Sequence, residues 1–201
     1  METLRTFIAL EFDSRTLAWL GEFREALAGR HPRVRWVKPE HLHLTLKFLG
    51  QVPHGRIESI CEVCDTVSQG TGPFSLLLGS PGHFGHRRAP QTFWVGFLPN
   101  PELEVLGKLE RRLEASLEPL GFPAEDRPWT PHITLGRNPR GVRTEGWEEL
   151  CPPWPSGGVP AMVVEELRLY SSDLTAGGPH HQVLWKKSFQ VSSPAGESSR
   201  P

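Results

Sequence analysis

The chain carries the tetrad His, aliphatic, Thr, Leu twice, as His43-Leu44-Thr45-Leu46 and as His132-Ile133-Thr134-Leu135, each just beyond a proline. Side chains alternate between the two faces of a strand, so as strands each copy puts its His and Thr on one face and its aliphatic pair on the other. A fold that satisfies both copies must bury two aliphatic stripes and keep two imidazole and hydroxyl faces accessible. A single cleft lined by paired groups meets that demand.

The surroundings of the two copies repeat as well. Residues 4–12 read as a largely buried strand, and Asp13 or Ser14 can cap a helix that runs to about residue 28, with Gly29 as its stop. Residues 34–37 and 41–49 read as strands parted by Pro39, residues 54–67 as a helix after Pro53, and 74–78 as a strand. The Gly, Pro, His and Arg of 80–90 read as a loop before a strand at 92–97. Pro101 suits the first turn of a helix over 101–117, whose stripe is Leu103, Leu106, Leu109, Leu113 and Leu117. The second tetrad strand spans 130–136, an irregular Pro, Gly and Trp-rich segment spans 138–160, and strands follow at 161–171 and 182–191. The expected fold is α+β: two pseudo-symmetric lobes, each a small antiparallel sheet with packed helices, around a central groove carrying both His-x-Thr motifs. Residues 1–191 form a single domain in this reading, and 192–201 a disordered tail.

With 22 basic and 23 acidic side chains, the net charge of −1 argues against wholesale nonspecific binding of nucleic acid. A compact anion site remains compatible with it, because Arg87, Arg88, Arg127, Arg137, Arg140 and Arg143 flank the second tetrad and Lys47 adjoins the first. No apolar run is long enough to span a membrane and the first residues are too polar for a signal peptide, so the expected compartment is the cytoplasm. Three cysteines do not make a disulfide framework, and Cys61-x-x-Cys64 falls inside a helical segment, which favours structural thiols over redox chemistry. Gly177-Gly178 lacks the Lys and helix of a P-loop, and no Gly-x-Ser-x-Gly elbow is present. The composition thus points to a monomer with no cofactor, no membrane and no protein partner.

Two imidazoles, with unperturbed pKa values near 6.5, can coexist as base and acid near neutral pH. That is what phosphodiester chemistry needs: His43 and His132 exchange protons with water and the leaving oxygen, while Thr45 and Thr134 donate to non-bridging phosphate oxygens. A cation must balance the remaining charge. Lys47 has the parity of His43 but lies four residues away, and Arg137 has the opposite parity from His132, so it must reach the site by leaving the strand after Gly136. Of the two, Arg137 is the preferred phosphate ligand.

These residues also carry a resemblance. Trp36-Val37-Lys38-Pro39-Glu40, His43 through Gly50, and Trp129 through Arg137 resemble the bacterial and archaeal RNA 2′,3′-cyclic phosphodiesterases, the 2′-5′ RNA ligase family within the two-histidine phosphoesterases. Arg5-Thr6-Phe7-Ile8-Ala9-Leu10 and Leu167-Arg168-Leu169-Tyr170-Ser171-Ser172 match it too, so the likeness extends to about Val191. It implies a two-lobed fold with a pseudo-twofold axis and metal-independent hydrolysis of 2′,3′-cyclic phosphates, on RNA ends or cyclic nucleotides, to 2′-phosphomonoesters. By the same resemblance His43 protonates the 3′ oxygen, His132 activates water, Arg137 holds the phosphate and Phe48 lines the site. Pro179-His180-His181 departs from the aromatic-containing stretch expected there.

Three other readings compete. A non-catalytic RNA-end or nucleotide-binding module would keep the same groove, and a related 2′-5′ phosphodiesterase or ligase would use the same residues. His41 with His43 could instead begin a metal site completed by His83, His86, His180 or His181, although no carboxylate or cysteine stands at ligand spacing. His41 is otherwise a rim residue and His180-His181 a loop feature, while Trp36 and Trp129 are better explained by core packing than by base stacking.

Overall fold

The computed structural model describes residues 2–86, 89–138, 161–175 and 178–190. Strand β1 (Thr3–Phe12) is buried at every position from Thr6 to Leu10, as a strand covered on both faces must be. The Asp13 carboxylate then accepts the Thr16 amide and hydroxyl at 2.9 Å each and starts helix α1 (Ser14–Arg30). A two-residue strand β2 (Arg35–Trp36) and a 3-10 turn at Pro39–His41 lead into β3 (Leu44–Pro53). Helix α2 (Ile57–Ser68), strands β4 (Phe74–His86) and β5 (Ala89–Phe97), and helix α3 (Pro101–Leu117) follow. Asn100 caps α3 by accepting the Leu103 amide at 2.9 Å. Strands β6 (Ile133–Arg137), β7 (Ala161–Thr175) and β8 (Gly178–Ser188) complete the described chain.

The pairings divide these strands into two halves, β3-β1-β7-β8 and β2-β6-β5-β4, with every pair antiparallel. The halves join at two seams. Strand β7 is shared: Ala161–Val164 pairs with β4, and Val164–Ser171 pairs with β1. At the other seam a single pair, Leu44↔Ile133, joins the two tetrad strands. The mixed architecture of antiparallel sheet and packed helices agrees with the α+β expectation. Leu44, Leu46, Ile133 and Leu135 are all buried in the main core with the inner stripes of α1, α2 and α3.

Several local expectations change. Each tetrad strand begins one residue after its histidine, so His43 and His132 stand at strand entrances. Residues 80–86 are not a loop but the far half of β4, paired with β5 as a long hairpin. Its glycine is there to admit an indole: a Cβ on Gly82 would lie 2.4 Å from the Trp94 ring. His180 and His181 lie in β8, paired with Asp173 and Ser172, and are not a loop feature. Trp36 and Trp129 pack against the core, as expected. Cys61 and Cys64 are free thiols in α2 whose ionisation burial opposes. The irregular segment over 139–160 and the tail over 192–201 lie outside the described residues. Among the described residues, no helix is long and apolar enough to cross a membrane.

Lys47 is not at the groove. It is 3% exposed and donates to both Glu114 oxygens at 2.7 Å and to the Pro123 carbonyl at 2.8 Å, tying β3 to α3. Removing one partner of such a pair strands a buried charge. Glu114→Ala is therefore expected to lower unfolding free energy by about 3 kcal/mol, read from denaturant midpoints, and Lys47→Met by clearly less.

Candidate active site

An extra residue just after the threonine of each tetrad decides which side chains face the groove, and β3 has a second at Leu49. In β3, Thr45 pairs with Ala9 and Lys47 with Ile8, so Leu46 has no partner of its own and the alternation slips by one. Lys47 thereby joins Leu46 on the core side, and Phe48, opposite Phe7, returns to the groove side. In β6 the same slip occurs at Leu135: Thr134 pairs with Trp94, Gly136 with Phe93 and Arg137 with Thr92. Leu135 and Gly136 are both buried, and Arg137 comes out on the face of His132 and Thr134 while still within the strand. The expectation that Arg137 reaches the site by leaving the strand is thus corrected: a bulge, not a departure, carries it there. Phe48 and Arg137 occupy corresponding places, five residues after their histidines.

The antiparallel sense of the Leu44↔Ile133 pair sets His43 on the side of Thr134, and Thr45 on the side of His132. Both imidazoles are held alike, with His43 Nδ1 2.8 Å from the His41 carbonyl and His132 Nδ1 2.7 Å from the Thr130 carbonyl. A carbonyl only accepts, so Nδ1 bears the proton and donates it. Nε2 is left bare toward the groove in the neutral ring.

The settings of the two rings differ. His43 stacks on Phe7 at 4.8 Å between centroids, and Phe7 stacks on Tyr170 at 5.1 Å. His181 stands edge-on to His43 at 5.6 Å and to Phe7 at 5.0 Å, and His41 closes on His181 at 5.1 Å. Tyr170 donates to the Glu11 carboxylate, which Arg168 also holds at 3.0 Å, so the stack has a fixed back wall. Burial raises the pKa of Glu11 in this wall, against those two partners. His132 instead has Phe84 edge-on at 4.9 Å and Trp94 at 6.0 Å.

Burial lowers the proton affinity of both rings. His43 falls to about 4, through burial first, then the neighbouring His181 and His41 imidazoles and Arg137 against its carbonyl bond. His132 falls through burial and the Arg137 charge. The charge of Arg137 thus opposes protonation of both histidines. Thr45 and Thr134 are half-buried on the groove face, and Phe48 is 53% exposed beside Phe7, 6.0 Å between centroids.

Sequence reasoning missed Phe7, Tyr170, Phe84, Trp94 and His181. Phe7 and Tyr170 lie in segments that carried the resemblance, but their place beside His43 depends on the pairing of β1 with β3 and β7. His181 was named only as a candidate metal ligand or loop residue, because its strand was read to begin at Gln182. Among the described residues, no group of three or more His, Cys, Asp or Glu is arranged to hold a metal. His41, His43 and His181 meet edge to face, at 85° and 87°, rather than aiming nitrogens at one point.

The close approach of β2 requires Gly136. A Cβ there would come within 2.8 Å of the Trp36 ring and 2.9 Å of Val34 Cγ1. Gly136→Ala is expected to cost about 1–3 kcal/mol of stability, measured by denaturant unfolding, and to displace Arg137, seen as weaker binding of inorganic phosphate by calorimetry.

Comparison with known proteins finds that the model of the family described as LigT-like phosphoesterase matches two stretches, residues 11–94 and 97–181, with one tetrad in each. A Thermotoga maritima protein named RNA 2′,3′-cyclic phosphodiesterase is 33% identical over 188 residues, covering 93% of this chain and 96% of its own. One of the same name from Methanothermobacter thermautotrophicus is 31% identical, covering 88% and 94%. One from Geobacillus stearothermophilus is 36% identical over 141 residues, 70% of this chain but only 44% of that protein. Among solved structures, apo LigT of E. coli superposes with a TM-score of 0.72 at 23% identity, covering 95% of this chain and all of that one. TT0787 of Thermus thermophilus gives 0.71 at 26%, covering 94% and 100%.

Proposed function

The chain belongs to the LigT-like phosphoesterases, and from that membership we propose that it hydrolyses 2′,3′-cyclic phosphates at RNA ends to 2′-phosphomonoesters, using two histidines and no metal. The observation that carries the proposal is the matched fixing of His43 and His132 through Nδ1, at 2.8 and 2.7 Å, which leaves two Nε2 atoms free to take and give protons beside one guanidinium. Both histidines come from one chain and one continuous ladder, which supports a single two-lobed domain that needs no second copy to complete its site.

In the reaction, Arg137 balances the negative phosphate, and the Thr45 and Thr134 hydroxyls donate to its non-bridging oxygens. His132 Nε2 takes a proton from a water molecule as its oxygen bonds to phosphorus. The bond from phosphorus to O3′ breaks, and O3′ takes the proton from His43 Nε2. The product is a 2′-phosphate with a free 3′ hydroxyl. His132 ends protonated and His43 neutral, and exchange with water restores both.

His43 rests uncharged in the empty groove, and the phosphate brings the negative charge that recruits its proton. The base must be neutral and the acid protonated, and in the free enzyme both proton affinities lie below the ordinary histidine value. The kcat/KM profile should therefore be a bell whose maximum falls below about pH 6.5. The kcat profile, taken with phosphate bound, should lie at higher pH. A kcat/KM maximum on the alkaline side of neutrality would contradict this electrostatic account.

His43→Ala and His132→Ala should each lower kcat on adenosine 2′,3′-cyclic phosphate by roughly 10²–10⁴-fold and leave thermal unfolding nearly unchanged. Full activity in either variant would sink the mechanism. Identification of the product by chromatography decides between a 2′- and a 3′-phosphate, and unchanged rates in chelator are expected. A module that merely binds nucleotides would retain the 2′-phosphate and release no product from the cyclic form.

A further inference from the structure

Strand alternation turns Arg5, Phe7, Ala9 and Glu11 of β1 toward the groove. Every other cation on this face of β1, β7 and β8 is answered by a carboxylate: Arg168 by Glu11 at 3.0 Å and Glu166 at 2.7 Å, and Lys186 by Glu166 at 3.5 Å. Arg5 is exposed at the opposite end of the strand and makes no ion pair among the described residues. Burial and then the charge of Arg5 lower the pKa of Arg137, and Arg5 adds to burial, His41 and His180 in bringing His181 to about 4. His181 Nδ1 is itself buried with no hydrogen-bond partner. Arg5 shares its face of β1 with Phe7, whose ring stacks on His43 at 4.8 Å, so its guanidinium stands on the groove side and, unlike Arg168 and Lys186, without a carboxylate partner among the described residues.

An RNA end presents the matching pair of anions. Its terminal ribose carries the cyclic phosphate on the 2′ and 3′ oxygens and the upstream phosphodiester on the 5′ oxygen, so a second negative group always lies one sugar from the first. A free cyclic mononucleotide lacks it. Beside Arg5 lies a surface suited to the upstream base: Phe48, 53% exposed, pairs with Phe7 two residues along the strand.

We propose that Arg5 holds the phosphodiester immediately upstream of the cyclic end, with the Phe48 ring as stacking surface for the upstream base, so that the preferred substrate is an oligonucleotide 3′ end. This rests on the hydrolase reading above and names its substrate class.

The test compares adenosine 2′,3′-cyclic phosphate with the dinucleotide adenylyl-adenosine 2′,3′-cyclic phosphate. The unmodified protein should favour the dinucleotide in kcat/KM by roughly three- to tenfold, the size of a solvent-exposed ion pair, and salt should shrink that advantage. Arg5→Gln should bring the ratio close to one and Arg5→Lys should restore most of it. Equal kcat/KM on both substrates, or an advantage that survives Arg5→Gln, overturns the subsite. An equal fall on both substrates in Arg5→Gln also overturns it, because Arg5 would then serve the reacting phosphate. Calorimetry with adenosine 2′-phosphate and the dinucleotide ending in 2′-phosphate asks the same question without turnover. If neither cyclic substrate is cleaved, the hydrolase reading fails, and the subsite stands or falls on whether the dinucleotide binds more tightly by way of Arg5.

Discussion

A one-residue bulge just after the threonine of each tetrad sets the composition of the groove. A strand of strict period two would send Lys47 to the groove with His43 and Thr45, and would turn Phe48 and Arg137 away from it. The unpaired Leu46 and Leu135 reverse all three assignments. The consequences spread inward. Lys47, delivered to the core, needs a buried carboxylate, and Glu114 of α3 supplies it. The residue delivered to the core of the other half is Gly136, so no charge has to be answered there, and the vacated volume admits Trp36 and Val34. One backbone irregularity, used twice, therefore gives an aromatic at one wall and a guanidinium at the other.

The bulges can act this way because the strand pairings around them close a circuit. Strand β7 pairs with β4 over its first residues and β1 over the next, and β1 pairs with β3. The circuit closes only at Leu44↔Ile133, and both residues are wholly buried. A slip of one residue at this seam would bring a histidine into the core, at the cost of an unpaired polar group in apolar surroundings. Burial of the aliphatic half of each tetrad is thus what fixes the position of its polar half.

Much of this was legible in the chain. The two tetrads, the amphipathic stripe of 101–117, the cap at Asp13 and the helix start at Pro101 rest on local chemistry, and local chemistry is readable from spacing. The far half of β4 was not. Its Pro81, Gly82 and Gly85 mimic a turn, and the need for Gly82 lies in Trp94, twelve residues away on another strand. The parity of Arg137 and the fate of Lys47 were hidden for the same reason, since a bulge is a relation between two strands and leaves no periodic mark in one. The place of His181 beside His43 depends on β8 starting at Gly178 and on its pairing with Ser172.

The duplicated frame is symmetric and the environments built on it are not. His43 sits against Phe7 and Tyr170 with two further imidazoles nearby, whereas His132 lies beside Phe84 and Trp94 with none among its described ring contacts. A permanently protonated ring in the first setting would be a buried charge among groups that oppose it, a costly state to hold. Crowding therefore disfavours the protonated form of His43. Under the proposed mechanism, an acid loaded only by its substrate would carry its charge in the one state where the charge is compensated, and proton delivery would be linked to occupancy of the phosphate site. The two halves thus diverge in side chains on a backbone that repeats the bulge after each tetrad.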